Sequence, residues 1–453
     1  MHLRGLVASH LVAGAVAVNI PRDLSIRQNT NTSAHTIELH ATLYGARFHA
    51  PTTIGGETFN LLVDTGSSDT FVIEDNFECY GINSLSGNLM SVDQSICGYA
   101  DAAYEINESN TFERITGEAF QVEYAAGIAR GLMAFEDIAL GDVTVTDQRF
   151  GLVNWSTPMN FGASGVLGLA YPIITSAYEI NGTLDTTNLT AQGEPQPYNP
   201  LFVSMYRRGL VEPYFSLALN RLPSDQESGD GGYMVLGGLP DVELSSNWTT
   251  VPAEYYDAAD ILSQNGTRLR SYWATTVQGL TYGSDGEYSN SYQTVVDSGA
   301  PMSSVPGTVA REFNSLFDPP GQWNEIQQGY IVDCDATAPD FAVRIGDATF
   351  TANPLDMILH TGQTYNGDDM CLSAIGPGLE MGVDPSDPTN TTELYLLGAG
   401  FMKSVVSVFD FGNSEMRFAA RQDESSAVSL VGGLGSGRLI VFGVMVAVFH
   451  GVF

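Results

Sequence analysis

Positive charge is what this chain most lacks. Its 453 residues include 18 Lys and Arg against 52 Asp and Glu, for a formal net charge of −34, and the single lysine is Lys403. A surface of that sign repels phosphate backbones, so nucleic acid is excluded as a partner. Histidine is also sparse. His2, His10, His35, His40, His49, His360 and His450 form no H-E-x-x-H or other metal-ligand spacing, so no metal is expected. No Gly-x-Ser-x-Gly elbow with a histidine partner is present. Gly231-Gly232 and Gly237-Gly238 lack the Lys-Ser/Thr of a phosphate loop and read as turns. Nothing in the sequence calls for a cofactor. Long apolar runs are missing too: the two that exist, at the ends, are short for a span of about 20 residues.

What is present points to export. Residues 1–17 read as a signal peptide: Arg4, an apolar stretch, then the small residues Ala15-Val16-Ala17. Residues 18–34 are left as a short propeptide or linker. Four cysteines allow three pairings, and their order favours two local ones, Cys79–Cys97 and Cys334–Cys371. Candidate N-glycosylation sites are Asn31, Asn107, Asn154, Asn181, Asn188, Asn247, Asn265 and Asn390. Residues 422–453 combine small residues at Ser425-Ser426-Ala427, a Gly/Ser spacer and an apolar run from Leu439 to Phe453. That order describes a GPI signal, with a short membrane tail or a buried helix as alternatives. The expected location is the cell surface, anchored to membrane or wall, or otherwise the extracellular medium.

Hydrophobic residues make up 43% of the chain, enough for large cores. Val, Thr, Tyr and Phe recur in short runs broken by Gly, Asn, Asp and Ser, which predicts strands and turns. The most telling pattern is an internal repeat. Phe59-Asn60-Leu61-Leu62-Val63-Asp64-Thr65-Gly66 is echoed by Tyr292-Gln293-Thr294-Val295-Val296-Asp297-Ser298-Gly299. Each is followed by an apolar pair and a glycine: Val166-Leu167-Gly168, then Leu396-Leu397-Gly398. The separations are 104 residues from Asp64 to Gly168 and 101 from Asp297 to Gly398. Two unrelated segments rarely share both motifs at nearly one spacing, so two homologous lobes are expected, 35–222 and 223–421. A short helix is predicted over 201–210 and strands over 215–219 and 232–236. The polar stretch 175–200 reads as a glycosylated surface insertion.

A lone Asp-Thr-Gly usually shapes a turn. Here each Asp ends an apolar strand, which carries it inward. A buried carboxylate is costly alone, but two brought together can share one proton and titrate as a unit. Such a pair can activate water as general base and protonate a carbonyl as general acid. Thr65 and Ser298 are placed to hydrogen-bond across the junction. Gly66 and Gly299 allow close backbone approach.

Asp64-Thr65-Gly66-Ser67-Ser68, Asp297-Ser298-Gly299, both apolar-apolar-Gly motifs and Phe120-Gln121-Val122-Glu123-Tyr124 resemble the pepsin-like aspartic endopeptidases, from about His35 to Arg421. In that family two carboxyls share one proton. The resemblance implies an all-β, bilobal fold, one catalytic Asp per lobe and a cleft for extended polypeptide substrates. It implies acid-pH activity, a monomer, dyad support from Ser67, and a flap role for Tyr124, against the plainer reading of a half-buried strand tyrosine. The tail resembles GPI-anchored fungal members of the yapsin type.

Several positions depart from the family pattern. Ala300 stands where a Thr or Ser hydroxyl would bond Asp297. Ala125-Ala126 replace the usual flap residues after Tyr124. Phe71 replaces a Trp, and Ala399 replaces an Asp. These departures keep open a rival reading, a catalytically weak binding protein using the same cleft.

Overall fold

The computed structural model describes residues 34–422 apart from 83–88, 101, 181–192, 260, 264–265, 366 and 385–386. The signal, propeptide and GPI expectations lie outside the described residues.

Strands dominate, as the composition implies. Three short α-helices, Leu201–Arg207, Gly307–Ser315 and Ala399–Met402, are present among the described residues. The first stops before the 201–210 expectation does, because Gly209 takes a φ of +71°. The expected strands begin earlier than the sequence suggested, as Tyr214–Leu219 and Gly229–Leu236. Gly231-Gly232 is therefore no turn. It lies inside the second strand, where Gly231 is the extra residue of a bulge facing Leu39 and His40 and Gly232 has a φ of +88°. A Cβ on Gly232 would stand 2.0 Å from the Ala218 carbonyl oxygen.

The repeat read from the sequence is a repeat of structure. Strand Glu57–Asp64 starts exposed and alternating, then buries its last four residues. Strand Tyr292–Val296 shows the same gradient and ends one residue before Asp297. Each delivers its aspartate to the interior. Gly165–Gly168 runs parallel to the first strand, with Asp64 opposite Gly168, and antiparallel to the returning strand Thr70–Ile82. Leu396–Leu397 does the same between Tyr292–Val296 and Ser303–Val305. The motif glycines are needed because the Asp loop folds directly over them. A Cβ on Gly168 would lie 2.4 Å from the Ser68 carbonyl carbon, and one on Gly398 2.2 Å from the Met302 oxygen.

A central sheet joins the halves. His35–Thr42, Gly229–Leu236, Tyr214–Leu219, Val405–Asp410, Glu415–Ala420 and Thr249–Pro252 lie side by side in that order. Below it, Trp273 donates from Nε1 to the Leu169 carbonyl at 3.0 Å. Nearby the single lysine is buried. Lys403 Nζ lies 3.0 Å from Asp356 Oδ1 and 3.3 Å from the Gly45 carbonyl, while Arg221 grips both Asp356 oxygens at 2.9 and 2.5 Å. Arg221 and Lys403 thus share the buried Asp356 carboxylate, and Lys403 also reaches the Gly45 carbonyl of the first half.

Both favoured cysteine pairs, Cys79–Cys97 and Cys334–Cys371, are disulfide-bonded. Asn107 and Asn247 are exposed, as a glycan requires. Asn154 is half-buried in the strand Val143–Ser156, which pairs on both sides, and is a poorer site. Asn31, Asn181, Asn188 and Asn265 lie outside the described residues, as does the side chain of Asn390. The ends of the 175–200 stretch are not the surface insertion expected of them: Thr175, Ser176, Ala177 and Tyr198 are buried.

Candidate active site

The two Asp loops meet face to face. Gly66 N–H donates to Asp64 Oδ1 at 2.8 Å, and Gly299 N–H to Asp297 Oδ1 at 2.9 Å. The loops are also laced together. Thr65 N–H donates to Ser298 Oγ at 3.1 Å, and Ser298 N–H to Thr65 Oγ1 at 2.9 Å. Each hydroxyl then donates onward across the junction, Thr65 to the Val296 carbonyl at 2.8 Å and Ser298 to the Val63 carbonyl at 2.7 Å. Four bonds, all buried, fix the separation of the two strands that carry the aspartates. This is the cross-junction role expected of Thr65 and Ser298.

The glycines set how close the carboxylates come. A Cβ on Gly66 would lie 2.5 Å from Asp297 Cγ, and one on Gly299 would lie 2.5 Å from Asp64 Oδ1. Any side chain there would push the opposite aspartate away. Neither glycine has a positive φ, so the requirement is space and not backbone strain.

The support is unequal. Asp64 receives the Ser67 hydroxyl on Oδ2. Asp297 receives the Ala300 N–H, at 3.2 Å, on the same Oδ1 that Gly299 already uses. Among the described residues no hydroxyl bonds its Oδ2, as the alanine at 300 implied. Burial and the neighbouring Asp64 charge together hold Asp297 well above the usual carboxylate range. Charge on the pair is therefore costly to complete, and one proton stays at acid pH.

Tyr124 sits at the end of strand Glu113–Tyr124 and pairs with Gly127 across an exposed two-residue turn, Ala125-Ala126. Its hydroxyl donates to Ser67 Oγ at 3.3 Å, so it touches the dyad through one intermediary. Its ring lies 6.4 Å from Phe71 and 5.7 Å from Phe161. Phe71 offers the tyrosine a ring contact but no hydrogen bond.

Three groups escaped the sequence reading. Asp69 is 1% exposed and accepts from Tyr198 Oη at 2.7 Å and from Ser176 N–H at 2.9 Å. Burial raises its pKa to about 6. The residue stands three positions beyond Gly66, where only its fold partners, more than a hundred residues away, reveal its setting. Tyr272 lies close enough to both aspartates for their charges, after burial, to raise its pKa. Arg47 reaches the Gly299 carbonyl from the first half. Neither Tyr272 nor Arg47 belongs to a local motif that could have marked it.

Residues 47–421 match the family model for eukaryotic aspartyl proteases. The chain belongs to that family. A probable aspartic-type endopeptidase of Aspergillus fumigatus is 34% identical over 87% of this chain and 83% of its own length. The vacuolar protease A of Neurospora crassa is 26% identical over 81% of this chain and 76% of its own. Among solved structures, the aspartic proteinase from Irpex lacteus superposes with a TM-score of 0.62 at 16% identity, covering 87% of this chain and 99% of that one. The fold is accordingly the bilobal aspartic-proteinase fold, and the protein is an aspartic endopeptidase.

Proposed function

We propose that this endopeptidase cleaves extended polypeptides at acid pH, outside the cell, by activating water between Asp64 and Asp297. The observation that carries this reading is the pair itself: Asp64 is buried, Asp297 is half-buried, and each lies against the glycine of the other's loop. Asp297 is the member whose surroundings favour the proton. Asp64, with the Gly66 N–H and Ser67 hydroxyl on its two oxygens, is fitted to hold the charge.

Asp64 takes a proton from water as its oxygen attacks the peptide carbonyl carbon. Asp297 gives its proton to the carbonyl oxygen, leaving a neutral gem-diol. Asp64 then protonates the leaving nitrogen, the C–N bond breaks, and Asp297 recovers a proton from the diol as the new carboxyl forms. No covalent enzyme intermediate arises. Tyr124, on its hairpin beside Ser67, acts as the substrate-covering flap residue.

Two disulfides, exposed sequons at Asn107 and Asn247, and the leader-like start support work in an oxidising compartment. The Gly/Ser spacer and apolar tail support a GPI anchor at the cell surface. One chain supplies both aspartates, so the proposed working unit is the monomer.

Digestion of a denatured protein at acid pH tests the reading. Wild type is expected to cut it and to be blocked by a statine-type peptide such as pepstatin, while Asp64→Asn cuts at background. Equal, pepstatin-insensitive cutting by both would sink the proposal.

A further inference from the structure

The reaction as derived leaves one nearby cation unused. Arg47 opens strand Arg47–Ile54, which pairs with the strand that carries Asp64. Its Nη1 donates across the junction of the two Asp loops to the Gly299 carbonyl, 252 positions away. The guanidinium carbon lies 5.9 Å from the centre of the Phe161 ring. No described carboxylate forms an ion pair with it. The charges acting on it are Asp297 and Asp64, beyond direct pairing. The other titratable neighbour is His49, which burial keeps neutral down to a pH of about 4 and whose Nε2 meets the Phe161 carbonyl at 3.2 Å.

We propose that Arg47 is a specificity-determining residue of the cleft, selecting peptides that carry a carboxylate side chain beside the scissile bond. The inference rests on the endopeptidase reading above and names its substrate class. A guanidinium has five N–H donors in a planar fork. The Gly299 carbonyl takes one, and no other described acceptor bonds the group. Neither aspartate bonds the group: Asp64 accepts from Gly66 and Ser67, and Asp297 from Gly299 and Ala300. A peptide entering the cleft displaces the water that solvates the remaining donors. An Asp or Glu side chain replaces that water with a charge-assisted pair. A Lys or Arg side chain meets like charge in a poorly solvated place.

This preference runs against the field of the whole molecule. A net charge of −34 draws basic peptides at long range. Salt screens that field beyond about 10 Å, whereas contact with Arg47 is screened far less. The cleft therefore selects opposite to the surface.

Two measurements test the assignment separately from the endopeptidase reading. The first compares kcat/KM for peptides bearing Glu, Gln or Lys at each position beside the scissile bond, at a pH of about 5 where a substrate carboxylate is ionised. At one position wild type is expected to favour Glu over Gln on the order of tenfold. Arg47→Met removes the preference, Arg47→Glu turns it toward Lys, and Arg47→Lys retains it. The second measures binding of statine-type inhibitors carrying the same three side chains, which needs no turnover. The same order of affinities is expected there. A wild type that cleaves nothing overturns the endopeptidase reading, while the binding series still decides the role of Arg47. Should wild type, Arg47→Met and Arg47→Lys rank the three side chains alike in both series, Arg47 is not the selector.

Discussion

The two Asp loops are built to one plan and finished differently. Each has a strand that buries progressively, a hydroxyl residue that crosses the junction, a glycine that yields space, and a second glycine about a hundred residues on. Yet Asp64 is served by a side-chain hydroxyl, and Asp297 by backbone alone. The shared features set the distance between the carboxylates. The unshared ones set which of them keeps the proton. Geometry is symmetric here, and acidity is not.

The largest effect expected comes from the shared features. Gly66→Ala would place a methyl group 2.5 Å from Asp297 Cγ, and Gly299→Ala would do the same to Asp64. A misplacement of about 1 Å at reacting groups can cost on the order of hundredfold. Both variants should keep the native far-UV spectrum, with a melt lowered by overpacking, and both should lose about that much kcat/KM. Unchanged activity in either would show that the contact between loops is not what matters.

The unshared features give the next effect. Ser67→Ala removes the hydroxyl on Asp64 and cuts its link to Tyr124. A hydrogen bond to a charged group is worth about 1.5–3 kcal/mol, so kcat/KM should fall on the order of tenfold or more. Ala300→Ser works the other way. It offers Asp297 the missing hydroxyl, favours its charged form, and moves the neutral limb of the profile down. If Ala300→Ser left that limb in place, the inequality of the two loops would have another cause.

A smaller contrast concerns stability within the first half. Burial raises Asp69 to about 6 from 3.8, so between those values the folded state holds more proton than the unfolded one. Its contribution is greatest below the lower value and declines as pH rises through the window. Burial lowers His49 to about 4 from 6.5, so there the unfolded state holds more proton, and stability rises across that window. Each is worth about 3 kcal/mol at 1.36 kcal/mol per pH unit, and between pH about 4 and 6 they oppose each other. Melting curves should separate them. Asp69→Asn should become steadily more stable over that range relative to wild type, and His49→Gln steadily less. Parallel shifts at all pH values would contradict both assignments.

Much of the site was legible because its parts are local. Asp64 and Asp297 each end a recognisable apolar strand, and Thr65, Gly66, Ser67, Ser298 and Gly299 follow within three residues. The cross-junction bonds could be foreseen from the hydroxyls alone. The downstream glycines are marked by their spacing, whereas their reason, an Asp loop folded onto their α-carbons, is a tertiary contact with no local signature. What stayed hidden was non-local. Arg47 and Gly299 are 252 positions apart, and Asp69 is buried by residues beyond position 170. Lys403 read as an odd lone lysine, and its burial against Asp356 and Gly45 has no sequence signature. Turn residues misled at Gly231-Gly232, where a bulged strand uses the same freedom that a turn would.

The most direct test of the account is the pH dependence of kcat/KM for wild type, from pH about 2 to about 8. A carboxyl pair that must hold one proton and one charge predicts a bell with both limbs on the acid side of neutrality. Activity that stays level or rises toward pH about 8 would contradict a proton shared between Asp64 and Asp297.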